Sequence, residues 1–153
     1  MGPARRTPCA HACSRADTAT VVWNAWTGHP HAVRVPVRVL LVDDRCDFRG
    51  LARELLGQRG YAVVGEAACG RAALAAAARL QPDAVMLEVE LADGKGFEVA
   101  RALNGVCPDA SILLVSVRDY GACEELVRGA GAAGFLLKSR LATADLGAYW
   151  PDG

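Results

Sequence analysis

Ala84-Val85-Met86-Leu87-Glu88, running on into Val89-Glu90-Leu91-Ala92-Asp93-Gly94-Lys95-Gly96, is the stretch on which the fold turns. Four apolar residues lead directly into a carboxylate, and a glycine-containing turn follows. A short continuous apolar run bounded by turn residues reads as a strand buried on both faces, central in a parallel sheet. Such a strand delivers its last side chain to the carboxyl edge of the sheet, where open α/β folds place their chemistry. Here that side chain is Glu88.

Working outward, strands and helices alternate. Val37 to Val42 is an apolar strand ending in Asp43-Asp44. Phe48, Leu51, Ala52, Leu55 and Leu56 then fall on one helical face, with Arg49, Arg53, Gln58 and Arg59 opposite and Gly60 as the stop. Tyr61 to Val64 is a second strand, and Ala72 to Leu80 an alanine-rich helix closed by Pro82. After the central strand, Phe97, Val99, Ala100 and Leu103 mark a third helix. Ser111 to Ser116 is a fourth strand, and Tyr120, Cys123, Leu126, Val127 and Ala130 mark a fourth helix. Gly134 to Lys138 is a fifth strand, and Leu141 to Trp150 a last, short helix interrupted by Gly147. This alternation predicts an α/β fold with a flavodoxin-like, doubly wound five-stranded parallel sheet of order 2-1-3-4-5.

Length and composition suit one such domain. The chain has 153 residues, 52% of them hydrophobic, and a formal net charge of zero. That charge divides into +3 for residues 1–36 and −3 for residues 37–153, with no basic face that would suggest nucleic acid as a partner. The expected organisation is a disordered extension over 1–36, a domain over 37–150 and a tail over 151–153. Cys9, His11 and Cys13, with His29 and His31, match no standard zinc-finger spacing. The six cysteines contain no C-x-x-C pair and read as reduced thiols in a cytoplasmic protein. No apolar run approaches the ~18 residues of a membrane span, and no signal-peptide pattern follows Arg5 and Arg6.

The predicted order places the ends of the first and third strands side by side, so Asp43, Asp44 and Glu88 share a crevice with Ser116 and Lys138. Two carboxylates about 4 Å apart repel by about 4 kcal/mol at an effective dielectric near 20. Such a cluster calls for a cation or a raised pKa. Carboxylate and carbonyl oxygens suit Mg²⁺, and a cation beside a hydroxyl and an amine is an arrangement for binding a phosphoryl group.

With Asp43-Asp44, the strand Pro82 to Glu88, Gly96-Phe97-Glu98, Ser116, Phe135 and Lys138 in view, residues from Val37 to about Leu141 resemble a response-regulator receiver domain of bacterial two-component systems. The spacings agree, 44 residues from Asp44 to Glu88 and 22 from Ser116 to Lys138. The resemblance implies that Asp43, Asp44, Glu88 and the backbone carbonyl of Glu90 hold Mg²⁺. It also implies that Ser116 and Lys138 contact the phosphoryl group and that Phe135 is the switch aromatic. Partners would be a histidine kinase or other two-component signalling proteins, reached by protein–protein contact and without membrane attachment.

Three residues depart from that pattern. The family's phosphoacceptor is Asp, whereas this chain has Glu88, whose extra methylene displaces the carboxylate by about 1.5 Å. In-line transfer is sensitive to shifts of that size, at about 100-fold in rate. The longer side chain either reaches toward Ser116 and Lys138, imitating a phosphorylated state, or pairs with Lys138 and holds the resting state. Val117 narrows access beside Ser116, and Ala92 in place of the usual Pro loosens the loop after Glu88. The expected function is that of a non-enzymatic atypical receiver, with no output domain in the 15 residues after Lys138. The alternatives are a receiver that folds but no longer switches and a Mg²⁺-dependent phosphoryl-transfer enzyme on the same sheet. The latter is weakened because Asp43-Asp44-Arg45 lacks the Asp-x-Asp of haloacid-dehalogenase-type phosphatases.

Overall fold

The computed structural model describes residues 20–23, 30–120 and 124–151, and the chain divides into two compact units between Val35 and Pro36. In the first unit, β1 (Thr20–Trp23) pairs antiparallel with β2 (Pro30–Val33). This strand pair falls within the residues expected to form a disordered extension. Thr20-Val21-Val22-Trp23 is a run of β-branched and aromatic residues, which favour the extended backbone. Cys9, His11, Cys13, His29 and Trp26 lie outside the described residues.

In the second unit β3 (Arg38–Val42), β4 (Ala62–Ala67), β5 (Ala84–Glu88), β8 (Ser111–Ser116) and β9 (Gly134–Leu137) form one parallel sheet. Its spatial order is β4-β3-β5-β8-β9, which is 2-1-3-4-5 when these five strands are counted in chain order. A small antiparallel pair, β6 (Glu90–Leu91) and β7 (Gly94–Lys95), shapes the loop after β5. The helices are α1 (Cys46–Gln58), α2 (Gly70–Leu80), α3 (Gly96–Val106) and α4 (Glu124–Gly129).

Every residue of β5 is buried, as expected of a strand covered on both faces. Side chains alternate between two cores. Leu40, Val42, Val85 and Leu87 pack with Ala73, Ala77, Ala100 and Leu103 on one face. Val39, Leu41, Ala84 and Met86 pack with Ala52 and Leu56 on the other. Leu51, at the margin of the α1 stripe, is 53% exposed. By the same alternation Asp43 and Glu88 continue the Leu41 and Met86 rows, so both carboxylates leave the sheet on the α1 side.

The last helix predicted for Leu141 to Trp150 does not form; two short 3₁₀ turns, Lys138–Arg140 and Leu146–Ala148, stand in its place. Backbone groups that a helix would use are taken, the Ala142 and Ala144 carbonyls and the Gly147 N–H. The Arg59 guanidinium donates to Ala142 O and, at 2.8 Å, to Ala144 O. Ser111 Oγ donates to Tyr149 O at 2.6 Å, and the Asp145 carboxylate accepts from Gly147 N–H. The apolar side chains reach the core regardless: Leu141, Leu146 and Trp150 are buried, and the Trp150 ring meets Tyr61 edge-on at 5.2 Å between centroids.

Fully burying one such side chain contributes about 1.5–3 kcal/mol, against a typical total stability of about 5–15 kcal/mol. Truncation after Ser139 is therefore expected to abolish cooperative thermal unfolding, as read by calorimetry.

Candidate functional site

Four of the five strand ends contribute one group each. β3 leads into Asp43, β5 ends in Glu88, β8 ends in Ser116, and Lys138 follows β9. Asp43, Glu88 and Ser116 are 2%, 4% and 0% exposed, so this is a buried polar pocket. Lys138 Nζ lies 2.5 Å from Asp43 Oδ2 and 2.5 Å from Glu88 Oε2, bridging the two acids. The remaining oxygens have backbone donors: Arg45 N–H to Asp43 Oδ1 at 2.8 Å and Glu90 N–H to Glu88 Oε1 at 2.9 Å. Below the ammonium, the Phe48 ring centroid is 4.2 Å from Nζ, a cation–π contact.

Burial alone would lower the Lys138 pKa. The hydrogen bonds to Asp43 and Glu88, and the charges of both, outweigh it and hold the ammonium above the ordinary lysine value. The Glu88 carboxylate pairs with Lys138, while Ser116 Oγ accepts the Arg118 backbone N–H at 3.3 Å.

Of the expected metal ligands, Asp43 and Glu88 are together, and Asp44 is solvent-exposed. Glu90 meets the pocket through its N–H. Among the described residues no three acidic, histidine or cysteine side chains are grouped to hold a metal ion. The donor set therefore does not fit Mg²⁺ in this arrangement, because an ammonium stands between the two buried carboxylates.

The loop after Glu88 is tied down from several directions. Gly96 N–H donates to Val89 O at 2.6 Å, and a Cβ on Gly96 would lie 2.2 Å from the Glu88 carbonyl oxygen, so the close crossing admits only glycine. Asp93 accepts from Gly70 and Arg71 N–H at 2.8 and 3.1 Å, capping α2 from across the loop. Those bonds supply the anchorage that Ala92 does not. Val117 is 66% exposed and directed to solvent.

Sequence reasoning treated Tyr120 only as a marker of helical spacing. Its hydroxyl donates to Glu90 Oε1 at 2.6 Å, and its ring stands edge-on between Phe97 and Phe135, at 6.0 and 6.2 Å. Arg118 and Lys95 pair with the same Glu90 carboxylate at 3.5 and 3.6 Å. The Tyr120 hydroxyl foremost, then Arg118 and Lys95, hold the Glu90 pKa below the ordinary carboxylate value. Phe48, Arg49 and Asp93 also escaped notice; Arg49 donates to the Asp43 carbonyl at 2.6 Å. Their sequence signals, an aromatic on a helix stripe and a charge on an exposed face, are common to many surface helices. Among the cysteines, Cys46, Cys69 and Cys107 are free thiols, and burial raises the Cys107 pKa. Cys123 lies outside the described residues.

Residues 39–146 match the response regulator receiver domain family. The chain belongs to that family. The receiver is 36% identical over 103 residues to the response regulator GacA of Pseudomonas aeruginosa, covering 67% of this chain and 48% of that protein. It thus spans about half the length of GacA. To the chemotaxis protein CheY of Thermotoga maritima it is 31% identical over 101 residues, covering 66% of this chain and 84% of CheY. Among solved structures, it is similar to a two-component response regulator of the LuxR family from Aurantimonas, with TM-score 0.64, 33% identity and coverage of 69% and 76%. Chemotaxis protein CheY4 of Vibrio cholerae gives TM-score 0.63 with 27% identity over 74% of this chain and 92% of that one. These matches place the receiver in phosphorelay signalling. No helix among the described residues is long and apolar enough to cross a membrane.

Two measurements check the electrostatics. Because the folded-state pKa of Lys138 is raised, its stabilising contribution is complete below the unfolded lysine value of 10.5 and is lost as pH rises through the folded value. Stability measured by denaturant is expected to fall on the alkaline side of that value, and Lys138→Met to flatten that limb. Tyr120→Phe removes the first cause of the Glu90 shift, so the Glu90 pKa, followed by NMR, is expected to move upward.

Proposed function

We propose that this receiver is an atypical one that acts through protein–protein contact and does not accept a phosphoryl group at Glu88, the residue in the family's acceptor position. The observation that carries the reading is the occupancy of the Glu88 carboxylate. One oxygen is held by Lys138 at 2.5 Å and the other by Glu90 N–H at 2.9 Å, in a pocket where Glu88 is 4% exposed. An acceptor oxygen has to meet phosphorus in line, and a carboxylate displaced by a methylene and bonded at both oxygens is poorly placed to do so. On this reading Lys138 keeps the pocket in a single state, and Ser116 remains bonded to its own loop.

The partner-facing surface follows from the aromatic chain. Phe135 lines a cleft of about 360 Å³ together with Val127, Arg128 and Glu124. It also packs on Tyr120, whose hydroxyl grips Glu90 beside the pocket. A signalling protein of a two-component system that docks there would read the position of Phe135. Free Cys46, Cys69 and Cys107 suit a reducing, cytoplasmic setting. The phosphoryl-transfer enzyme has less support, since no grouped metal ligands accompany the acids among the described residues.

Incubation with acetyl phosphate and Mg²⁺, followed by intact-mass analysis, tests the proposal. No adduct is expected on the wild type, and partial uptake on Glu88→Asp, since Ser116 and Lys138 remain. A wild-type adduct mapped to Glu88 overturns it.

A further inference from the structure

We infer that Lys138 is the permanent cation of this pocket, so that the receiver holds its folded and binding-competent state without a divalent metal. The inference concerns metal alone and stands whether or not Glu88 takes a phosphoryl group.

The charges dictate it. Asp43 and Glu88, 2% and 4% exposed, are carboxylates shut away from water and need a positive neighbour. Lys138 Nζ lies at 2.5 Å from one oxygen of each, in the space between them that a bridging ion would take. A divalent ion in the pocket would have to displace the ammonium or share the space with a like charge. The ammonium is not free to leave. Its side chain is 8% exposed, and the Phe48 ring lies 4.2 Å from Nζ. The outward oxygens, Asp43 Oδ1 and Glu88 Oε1, already accept backbone N–H groups that a metal ion would have to strip away.

The donor count agrees. Mg²⁺ requires near-octahedral oxygen coordination at about 2.0–2.1 Å and gives up its water reluctantly. Asp44, the third acid of the sequence cluster, faces solvent, and Glu90, expected to contribute its backbone carbonyl, meets Glu88 through its N–H. Two buried carboxylates, each already paired, offer a small ion fewer ligands than bulk water does.

Binding of Mn²⁺, followed by loss of its free EPR signal, and thermal unfolding with and without Mg²⁺ provide the test. For the wild type, no pocket binding and no Mg²⁺-dependent shift of Tm are expected. Lys138→Met, which removes the charge and keeps much of the length, is expected to bind Mn²⁺ about 10–100-fold more tightly, the range over which a metal's neighbours tune affinity. It should also gain a Mg²⁺-dependent rise in Tm. Equal metal affinity in the wild type and Lys138→Met overturns the inference. Should that variant fail to fold, the wild type decides alone. One-to-one Mn²⁺ binding that is abolished by Glu88→Gln would overturn the inference. No binding, or surface binding unaffected by Glu88→Gln, supports it.

Discussion

The ion triad of Asp43, Lys138 and Glu88 is the constraint on which the rest of this domain depends. It joins the ends of three parallel strands of one sheet, at 2.5 Å on either side of the ammonium. A buried ion pair does not by itself guarantee stability, because desolvating the charges offsets much of their attraction. Its force here is conditional: once the fold has placed two carboxylates under 2% and 4% exposure, the loss of the ammonium leaves uncompensated charge in the interior. The triad therefore fixes where β9 must end relative to β3 and β5, and it orders the polar edge of an otherwise apolar sheet.

From that edge, contacts lead outward in one direction. Glu88 is bonded to the backbone of Glu90, whose carboxylate binds the Tyr120 hydroxyl, whose ring rests against Phe97 and Phe135. Two hydrogen bonds lead into an aromatic contact, so a change at Glu88 has a continuous physical route to the cleft bounded by Phe135. Gly96 and Asp93 hold the loop that carries Glu90 close to the sheet, one by having no Cβ and the other by capping α2. Together they give the pocket a rigid rim despite the small strands of only two residues within it.

The α1 side of the sheet shows how tertiary contacts can replace a secondary element. Leu141, Leu146 and Trp150 cover the sheet from a segment of 3₁₀ turns, because Arg59 and Asp145 take backbone groups that a helix would use for itself. Side-chain burial was dictated by composition, while the backbone path was negotiated with neighbours up to 85 positions distant. Leu51, by contrast, belongs to the apolar stripe of α1 by spacing yet lies half exposed.

What the sequence determined by itself was the periodicity and the punctuation. Apolar runs of five or six residues alternating with helical stripes are local signals, and they required a parallel sheet whose central strand ended in Glu88. They also brought Asp43, Ser116 and Lys138 to the same edge, because every parallel strand presents its carboxyl end there. Tertiary structure alone decided which of those groups touch. Asp44 turns to solvent while its neighbour Asp43 is buried, since adjacent residues leaving a strand point in opposite directions. Lys138 meets both acids across 95 and 50 residues of chain, and Tyr120 finds Glu90 across 30. Such pairings depend on the twist of the sheet, the path of each loop and the competition among charges for one cation, none of which has a period that a linear sequence can display.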